Sequence, residues 1–309
     1  MSQKTGISWT DTTWNPVTGC TRVSEGCRNC YAEALAATRL KDSPRYKGLA
    51  VMSPSGPHWT NKINLHPELL LQPLSWRKPR RIFVNSMSDL FHKDVPDSFI
   101  DQIVATMALT PQHTYQILTK RADRMRSYFS KLPTNINCNR YQAIFDAANV
   151  QFGSRHTHWP LPNVWLGVSV ESQEFAKERI WPLLQTAAAI RFVSAEPLLG
   201  PLDLEVIESL CKDWCVGATI GTYLDWIIVG GESGPHARPF KLEWARNLRD
   251  QCRGSGVPFF AKQLGSNPWD CDVPGAADPK EHMRYHTDHR SGADPAEWPD
   301  DLRVQEFPR

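Results

Sequence analysis

No apolar stretch in the chain reaches the roughly 18 to 20 residues that a membrane-spanning helix needs. The opening residues, MSQKTGISWTDTTWNP, carry no apolar signal-peptide core. Charge of one sign is also lacking. Thirty-five Lys and Arg face 33 Asp and Glu for a net charge of +2, so no global basic field of the kind that coats nucleic acid is present. With 18 Gly and 24 Pro in 309 residues, the composition lies below the low-complexity range. Eight cysteines are too few for a disulfide scaffold. What these absences leave is a globular chain, expected to be cytoplasmic and in a reducing compartment, with no membrane association. Its 41% hydrophobic and 22% charged residues, and its length, suffice for a substantial core.

What is present is an alternation of apolar, strand-like runs with segments of helical period. Arg81–Ser86 precedes a helix with Phe99, Ile103, Val104 and Met107 on one face, and Tyr115–Thr119 precedes a basic helix from about Arg121 to Phe129. Val164–Ser169 precedes a helix from about Gln173 to Leu184. Ile190–Ser194, Trp226–Gly231 and Val257–Lys262 follow, with a helix carrying Leu242, Ala245, Leu248 and Cys252 between the last two. Alternation of this kind implies parallel pairing, and continuous apolar strands fit a sheet covered on both faces. With one more strand ahead of the first cysteines, the expected fold is α/β: a partial (β/α) barrel of about six to seven parallel strands over residues 1–265. A doubly wound sheet is the alternative. Residues 42–80, with an edge strand at Trp59–Leu65, and residues 133–162 read as insertions. Residues 266–309 read as an extended C-terminal tail wrapping the barrel.

The strands end in polar residues: Ser86, Ser88 and Asp89; Thr119 and Lys120; Ser169 and Glu171; Ser194 and Glu196; Glu232 and Ser233; Lys262 and Gln263. In a parallel barrel such ends converge on the face where active sites are built. Trp76–Arg81, and Lys120 and Arg121 with Arg124 and Arg126, are local basic clusters that can grip phosphates and stack bases. Lys120 and Arg121, with Glu232 and Lys262 at later strand ends, are the candidate substrate-binding residues. The 12 tryptophans include Trp14-Asn15-Pro16, Trp76-Arg77 and Trp298-Pro299, which read as boundary or surface-groove positions.

In a reducing compartment, clustered cysteines point to metal binding or catalysis. Cys20, Cys27 and Cys30 form C-x6-C-x2-C on a loop punctuated by Gly19 and Gly26, ahead of a helix from about Asn29 to Leu40. Cys27 and Cys30, at a helix start, can face one partner, and thiolates there gain from the helix N-terminus. A structural zinc site would need a fourth ligand from elsewhere, for instance His92 or Cys271. A 4Fe–4S cluster can take three thiolates and leave one iron open for a small molecule. The residues therefore admit two classes: a metal-cluster enzyme, or a non-catalytic zinc- or iron–sulfur-containing nucleic-acid-binding protein. Cys211 and Cys215 form a looser pair at helix-face spacing.

Trp9-Thr10-Asp11, Thr13-Trp14-Asn15-Pro16 and Gly19-Cys20 lead into the Cys27/Cys30 pair and Tyr31-Ala32-Glu33. Phe83 through His92, Leu118-Thr119-Lys120-Arg121, Val193-Ser194-Ala195-Glu196-Pro197-Leu198, Gly230-Gly231-Glu232-Ser233-Gly234 and Phe260-Ala261-Lys262-Gln263 complete a set. Together these resemble the phage-associated three-cysteine-motif proteins, a family similar to the radical S-adenosylmethionine superfamily and more distantly to spore photoproduct lyase. The resemblance implies a partial barrel with a 4Fe–4S cluster held by Cys20, Cys27 and Cys30, whose open iron binds the amino and carboxylate groups of S-adenosylmethionine. It implies an enzyme in which one electron breaks an S–C bond of that cofactor and a 5′-deoxyadenosyl radical takes hydrogen from substrate. The phage association makes a nucleic acid base or nucleotide the expected substrate, and an electron donor such as flavodoxin or ferredoxin the expected partner. The superfamily spacing is C-x3-C-x2-C; here the first gap is longer, and Asn29 stands where an aromatic usually precedes the third cysteine, with Tyr31 just after it. Tyr31 joins the implied cofactor-binding set. Ser86, Ser88 and Asp89 match the amine-binding position after the second strand. Ser169 and Glu171 match ribose or carboxylate contacts, and Ser194 and Glu196 complete the set. Gly230-Gly231-Glu232 follows a late strand, so the amine-binding role of a Gly-Gly-Glu motif is not transferred to it.

Overall fold

A computed structural model describes residues 5–131, 159–205, 220–271 and 283–308. Cys138, Cys211, Cys215 and nearly all of the 133–162 insertion lie outside the described residues. In chain order the strands are β1 (Thr12–Trp14), β2 (Val17–Thr18), β3 (Ala50–Ser53), β4 (Gly56–Trp59), β5 (Asn64–Leu65), β6 (Arg81–Val84), β7 (Thr114–Thr119), β8 (Val164–Ser169), β9 (Ile190–Ala195), β10 (Trp226–Gly230), β11 (Phe240–Lys241), β12 (Phe259–Gln263), β13 (Pro268–Asp270) and β14 (Met283–Arg284). The helices are α1 (Tyr31–Ala37), α2 (Asp97–Leu109), α3 (Ala122–Ser130), α4 (Gln173–Leu184) and α5 (Leu242–Ser255).

One seven-stranded parallel sheet has the order β1-β6-β7-β8-β9-β10-β12. Each later strand is added on the same side of the one before it. A doubly wound sheet reverses direction at its switch point, so this order is that of a partial (β/α) barrel and not of the doubly wound alternative. No helix among the described residues is long and apolar enough to cross a membrane. The chain divides into two compact units, and β8 passes from the first to the second after Gly167.

The first unit holds β1, β6 and β7 with α2 and α3. Ile82 of β6 stands opposite Thr12 and Tyr115 in register, and Ile82, Phe83 and Val84 are all buried. Helix α2 follows Pro96, carries Asp97 in its first turn, and buries Phe99, Ile100, Ile103, Val104 and Met107, the spacing of a single apolar face. Trp14 and Trp76, read from sequence as boundary positions, are buried instead. The Trp14 indole N–H donates to the Leu69 carbonyl at 2.8 Å, so the ring can go inward with its one polar group satisfied. Neighbouring Pro and charge steer the backbone and say little about where a ring points. The expected edge strand at Trp59–Leu65 is two separate pieces. β4 pairs with β3 and β5 pairs with β2, both antiparallel, and Asn61 at φ 62° interrupts the run between them. The helix expected over Asn29–Leu40 is the shorter α1, because Cys30 is extended (φ −63°, ψ 121°) and Thr38 leaves the helical region.

The second unit holds β9, β10 and β12 with α4 and α5. All of Trp226–Gly230 is buried, as expected of a strand covered on both faces. Helix α5 buries Leu242, Ala245, Leu248 and Cys252 and stops at Gly256, φ 70°. Val257 N–H reaches back to the Cys252 carbonyl at 3.0 Å, which closes the helix end as a Schellman turn. The tail lies along β12. Ala261 donates to Val304 at 2.8 Å and Glu306 to Phe259 at 2.9 Å, which covers backbone groups that an edge strand would leave open. Trp298, also expected at a boundary, is 1% exposed and donates to the Gly292 carbonyl at 2.8 Å.

Candidate functional site

The cysteine loop begins at Gly19, which sits at φ 90°; a Cβ there would fall 2.2 Å from the Lys62 carbonyl oxygen, so only glycine fits. Cys27 closes a short 3-10 turn through its N–H to Ser24 at 3.0 Å. Cys30 caps α1 and accepts from Ala34 N–H at 3.1 Å. All three cysteines are half-buried. Among the described residues, no three His, Cys, Asp or Glu side chains converge as ligands of a single ion. Three accessible thiols on one glycine-hinged loop are the donor set for a group that takes one thiolate per iron, so the residues present fit an iron–sulfur cluster.

In the first unit the loop is tied to the ends of β6 and β7. Ser88 Oγ donates to the Val17 carbonyl at 2.9 Å, and Ser86 Oγ donates to Asn15 Oδ1 at 3.1 Å. Tyr31, 48% exposed, donates its hydroxyl to the Ser86 carbonyl at 2.6 Å. The buried Asp89 carboxylate accepts from Phe91 N–H (2.9 Å), Thr119 Oγ1 (2.8 and 3.0 Å), Lys120 N–H (3.2 Å) and Arg121 Nη1 (2.8 Å). Arg121 Nη2 donates to the Thr21 carbonyl at 3.0 Å and hydroxyl at 2.8 Å. Its Nη1 and Nη2 lie 3.9 and 4.0 Å from Cys20 Sγ. His92, wholly buried, meets Thr21 Oγ1 at 3.0 Å. Burial, and then the Arg121 charge, push its pKa below the ordinary imidazole value. Lys120 is half-buried beside this network. Arg124 donates to the His92 and Val95 carbonyls and pairs with Asp97 at 3.1 Å, so it ties α3 to the start of α2.

In the second unit Glu171 and Arg179 form an ion pair at 2.9 Å, each side chain 1% exposed. Arg179 also donates to the Ser169 carbonyl at 2.8 Å, and Gly26 N–H points to Glu171 Oε1 at 3.4 Å. Ser169 Oγ donates to the Glu196 carbonyl at 3.1 Å, and the Glu196 carboxylate pairs with Lys262. The Ser194 carbonyl accepts from Val170 N–H at 2.9 Å. Glu232 accepts from Arg238 Nη2 at 2.6 Å and from Asn29 Nδ2 at 2.9 Å. Burial alone would raise its pKa, but the hydrogen bonds from Arg238 and Asn29 outweigh burial and hold it below the ordinary carboxylate value.

Sequence reasoning missed Arg179, Arg238 and Glu33. Arg179 had a signal: it lies among Ala176, Ile180 and Leu183 on the buried face of α4, where a lone cation needs a partner. Glu33, 0% exposed, pairs with Arg22 at 2.6 Å and accepts from Trp59 N–H at 2.7 Å; its place in α1 gave no such signal.

The model of the family described as "Protein of unknown function (DUF5131)" matches residues 4–292. No curated protein matches the chain. Three solved structures of spore photoproduct lyase are similar to it. One, a mutant, is 10% identical with a TM-score of 0.45, covering 82% of this chain and 76% of its own. A second, complexed with dinucleoside spore photoproduct, is 10% identical with a TM-score of 0.44, covering 98% and 75%. A third, a double mutant with bound AdoMet and dinucleoside spore photoproduct, is 12% identical with a TM-score of 0.43, covering 96% and 73%. Likeness at this level says nothing of activity.

Proposed function

The chain belongs to the DUF5131 family, a family of unknown function, and on that premise we propose that it is a radical S-adenosylmethionine enzyme that modifies a nucleic acid base or nucleotide. The observation that carries the reading is the loop of three half-buried cysteines, Cys20, Cys27 and Cys30, that follows the first strand of a parallel sheet and ends at α1. Each thiolate would hold one iron of a 4Fe–4S cluster, with the fourth iron left for the cofactor. When bound, that cluster supplies the single electron that splits S-adenosylmethionine into methionine and a 5′-deoxyadenosyl radical.

The chain's own residues bind and orient. Tyr31, anchored through the Ser86 carbonyl, keeps an exposed ring beside the third cysteine for the adenine. The turn at Ser86 and Ser88 is held rigid by Asn15 and Val17 and presents polar groups for the amine, while Asp89 holds Arg121 in place. In the second unit, Ser169, Glu171, Ser194 and Glu196 are the cofactor-binding candidates at the strand ends, and Glu232 and Lys262 are candidates toward substrate. Lys120, with the exposed Arg77 and Lys78, supplies charge for phosphates. An electron donor of the flavodoxin or ferredoxin kind would reduce the centre.

Anaerobic reconstitution with iron counting tests the reading. Cys20→Ala, Cys27→Ala and Cys30→Ala should each lose iron, and Cys138→Ala should keep it. With dithionite the wild type should release 5′-deoxyadenosine. Full iron retention in Cys20→Ala, or S-adenosylhomocysteine as the main product, would overturn it. For the substrate class, DNA, RNA and mononucleotides are titrated across salt. Affinity should fall by about one log unit per log unit of salt for each phosphate contact, and a flat response would exclude nucleic acid.

A further inference from the structure

Arg121 is held by several partners at once. Its two terminal nitrogens are committed, Nη1 to Asp89 at 2.8 Å and Nη2 to the Thr21 carbonyl and hydroxyl at 3.0 and 2.8 Å. Its side chain is 13% exposed. The guanidinium is therefore locked edge-on, and in that position both nitrogens lie 3.9–4.0 Å from Cys20 Sγ. A planar, permanently charged fork clamped by a buried carboxylate holds its direction far better than a lysine on a free stem. Asp89 is itself fixed from the other side by Phe91 N–H, Thr119 and Lys120 N–H. The ends of β6 and β7 are thus joined to the first cysteine through one cation.

We infer that Arg121 is a positioning residue for the Cys20 sulfur: it donates to that thiolate when it ligates iron and, by placing positive charge there, raises the reduction potential of the cluster. This rests on the reading of Cys20, Cys27 and Cys30 as cluster ligands. The physical basis is general. Hydrogen bonds to ligand sulfur, and net charge near a cluster, set its potential, because the reduced form carries one more negative charge and gains more from a nearby cation. Asp89 works against this effect by partly neutralising the guanidinium, so the two residues act on the potential with opposite sign.

The test is an EPR-monitored redox titration of the reconstituted full chain, without S-adenosylmethionine, with iron counted per chain. In Arg121→Gln the reduced-to-oxidised ratio at fixed applied potential should fall about tenfold, which is a shift of about 59 mV for one electron. Arg121→Lys should recover part of it. Asp89→Asn should move the potential the other way. Opposite signs are not what loss of packing would produce, and if Arg121→Gln does not fold, the rise in Asp89→Asn still decides. An Arg121→Gln cluster with wild-type potential, or an Asp89→Asn cluster with an unchanged or lower one, would overturn the inference while leaving the cluster in place. A wild type that takes up no iron would instead sink the functional reading itself.

Discussion

Gly26→Ala perturbs the cysteine loop through space alone, because Gly26 is not among the residues at positive φ. A Cβ on Gly26 would lie 2.8 Å from Glu171 Cδ, 2.9 Å from Oε2 and 3.1 Å from Oε1, well inside van der Waals contact. Either the carboxylate or the loop must yield. If Glu171 retreats it opens its pair with Arg179, both side chains being 1% exposed, and breaking a buried pair of this kind costs about 3–5 kcal/mol. If the loop moves outward, the cost is that of overpacking, about 1–3 kcal/mol. Glu25 and Arg28 are exposed and Cys27 only half-buried, so the loop is the softer side and moves. The melting temperature should drop by about 2–4 °C per kcal/mol lost. Iron taken up on anaerobic reconstitution should fall several-fold, since the displaced residue is next to Cys27. Shortening the carboxylate in Gly26→Ala, Glu171→Asp should restore iron uptake while the melting temperature stays low, because the shorter side chain draws back from Arg179. A Gly26→Ala protein that melts and loads iron like the wild type would refute the argument, since it would mean that Glu171 is not held against the loop.

Two further outcomes follow from the charge and burial of single groups. Cys252 is 0% exposed, and burial, helped by Glu306, pushes its thiol up to about 12; in the metal-free folded protein at pH 8 iodoacetamide should label the half-buried Cys20, Cys27 and Cys30 and spare Cys252 until urea is added. Equal labelling would contradict the packing under α5. The Glu232 pKa is held below its ordinary 4.5, so its stabilising contribution is complete above that pH and is lost as pH falls from there through the folded value. Glu232→Gln should flatten the fall of melting temperature below about pH 4.5, and an acid limb as steep as the wild type's would remove Glu232 from the account.

The strands, the parallel sheet and the cysteine loop were legible in the sequence because each is written in local pattern. Arg81–Val84, Thr114–Thr119 and Trp226–Gly230 are apolar runs bounded by polar residues, and α5 shows its buried face at helical spacing before stopping at Gly256. Gly19 and Gly26 marked the loop as one that folds back on itself. The indole directions were not legible: Trp14, Trp76 and Trp298 sit beside Pro or charge, yet their rings go to the core, because a neighbour in sequence constrains the backbone and not the space into which a ring can pack. The pairing of charges was equally hidden. Asp89 and Arg121 stand out in the sequence as polar groups at strand ends, and nothing there shows that they contact each other, Thr21 and Cys20. The sequence by itself determined which segments become strands and that three cysteines share one loop. Only the tertiary structure decided which polar groups meet, because the ion pair between Asp89 and Arg121, or the hydrogen bond from Asn29 to Glu232, forms only where segments far apart in the chain are brought side by side by the fold.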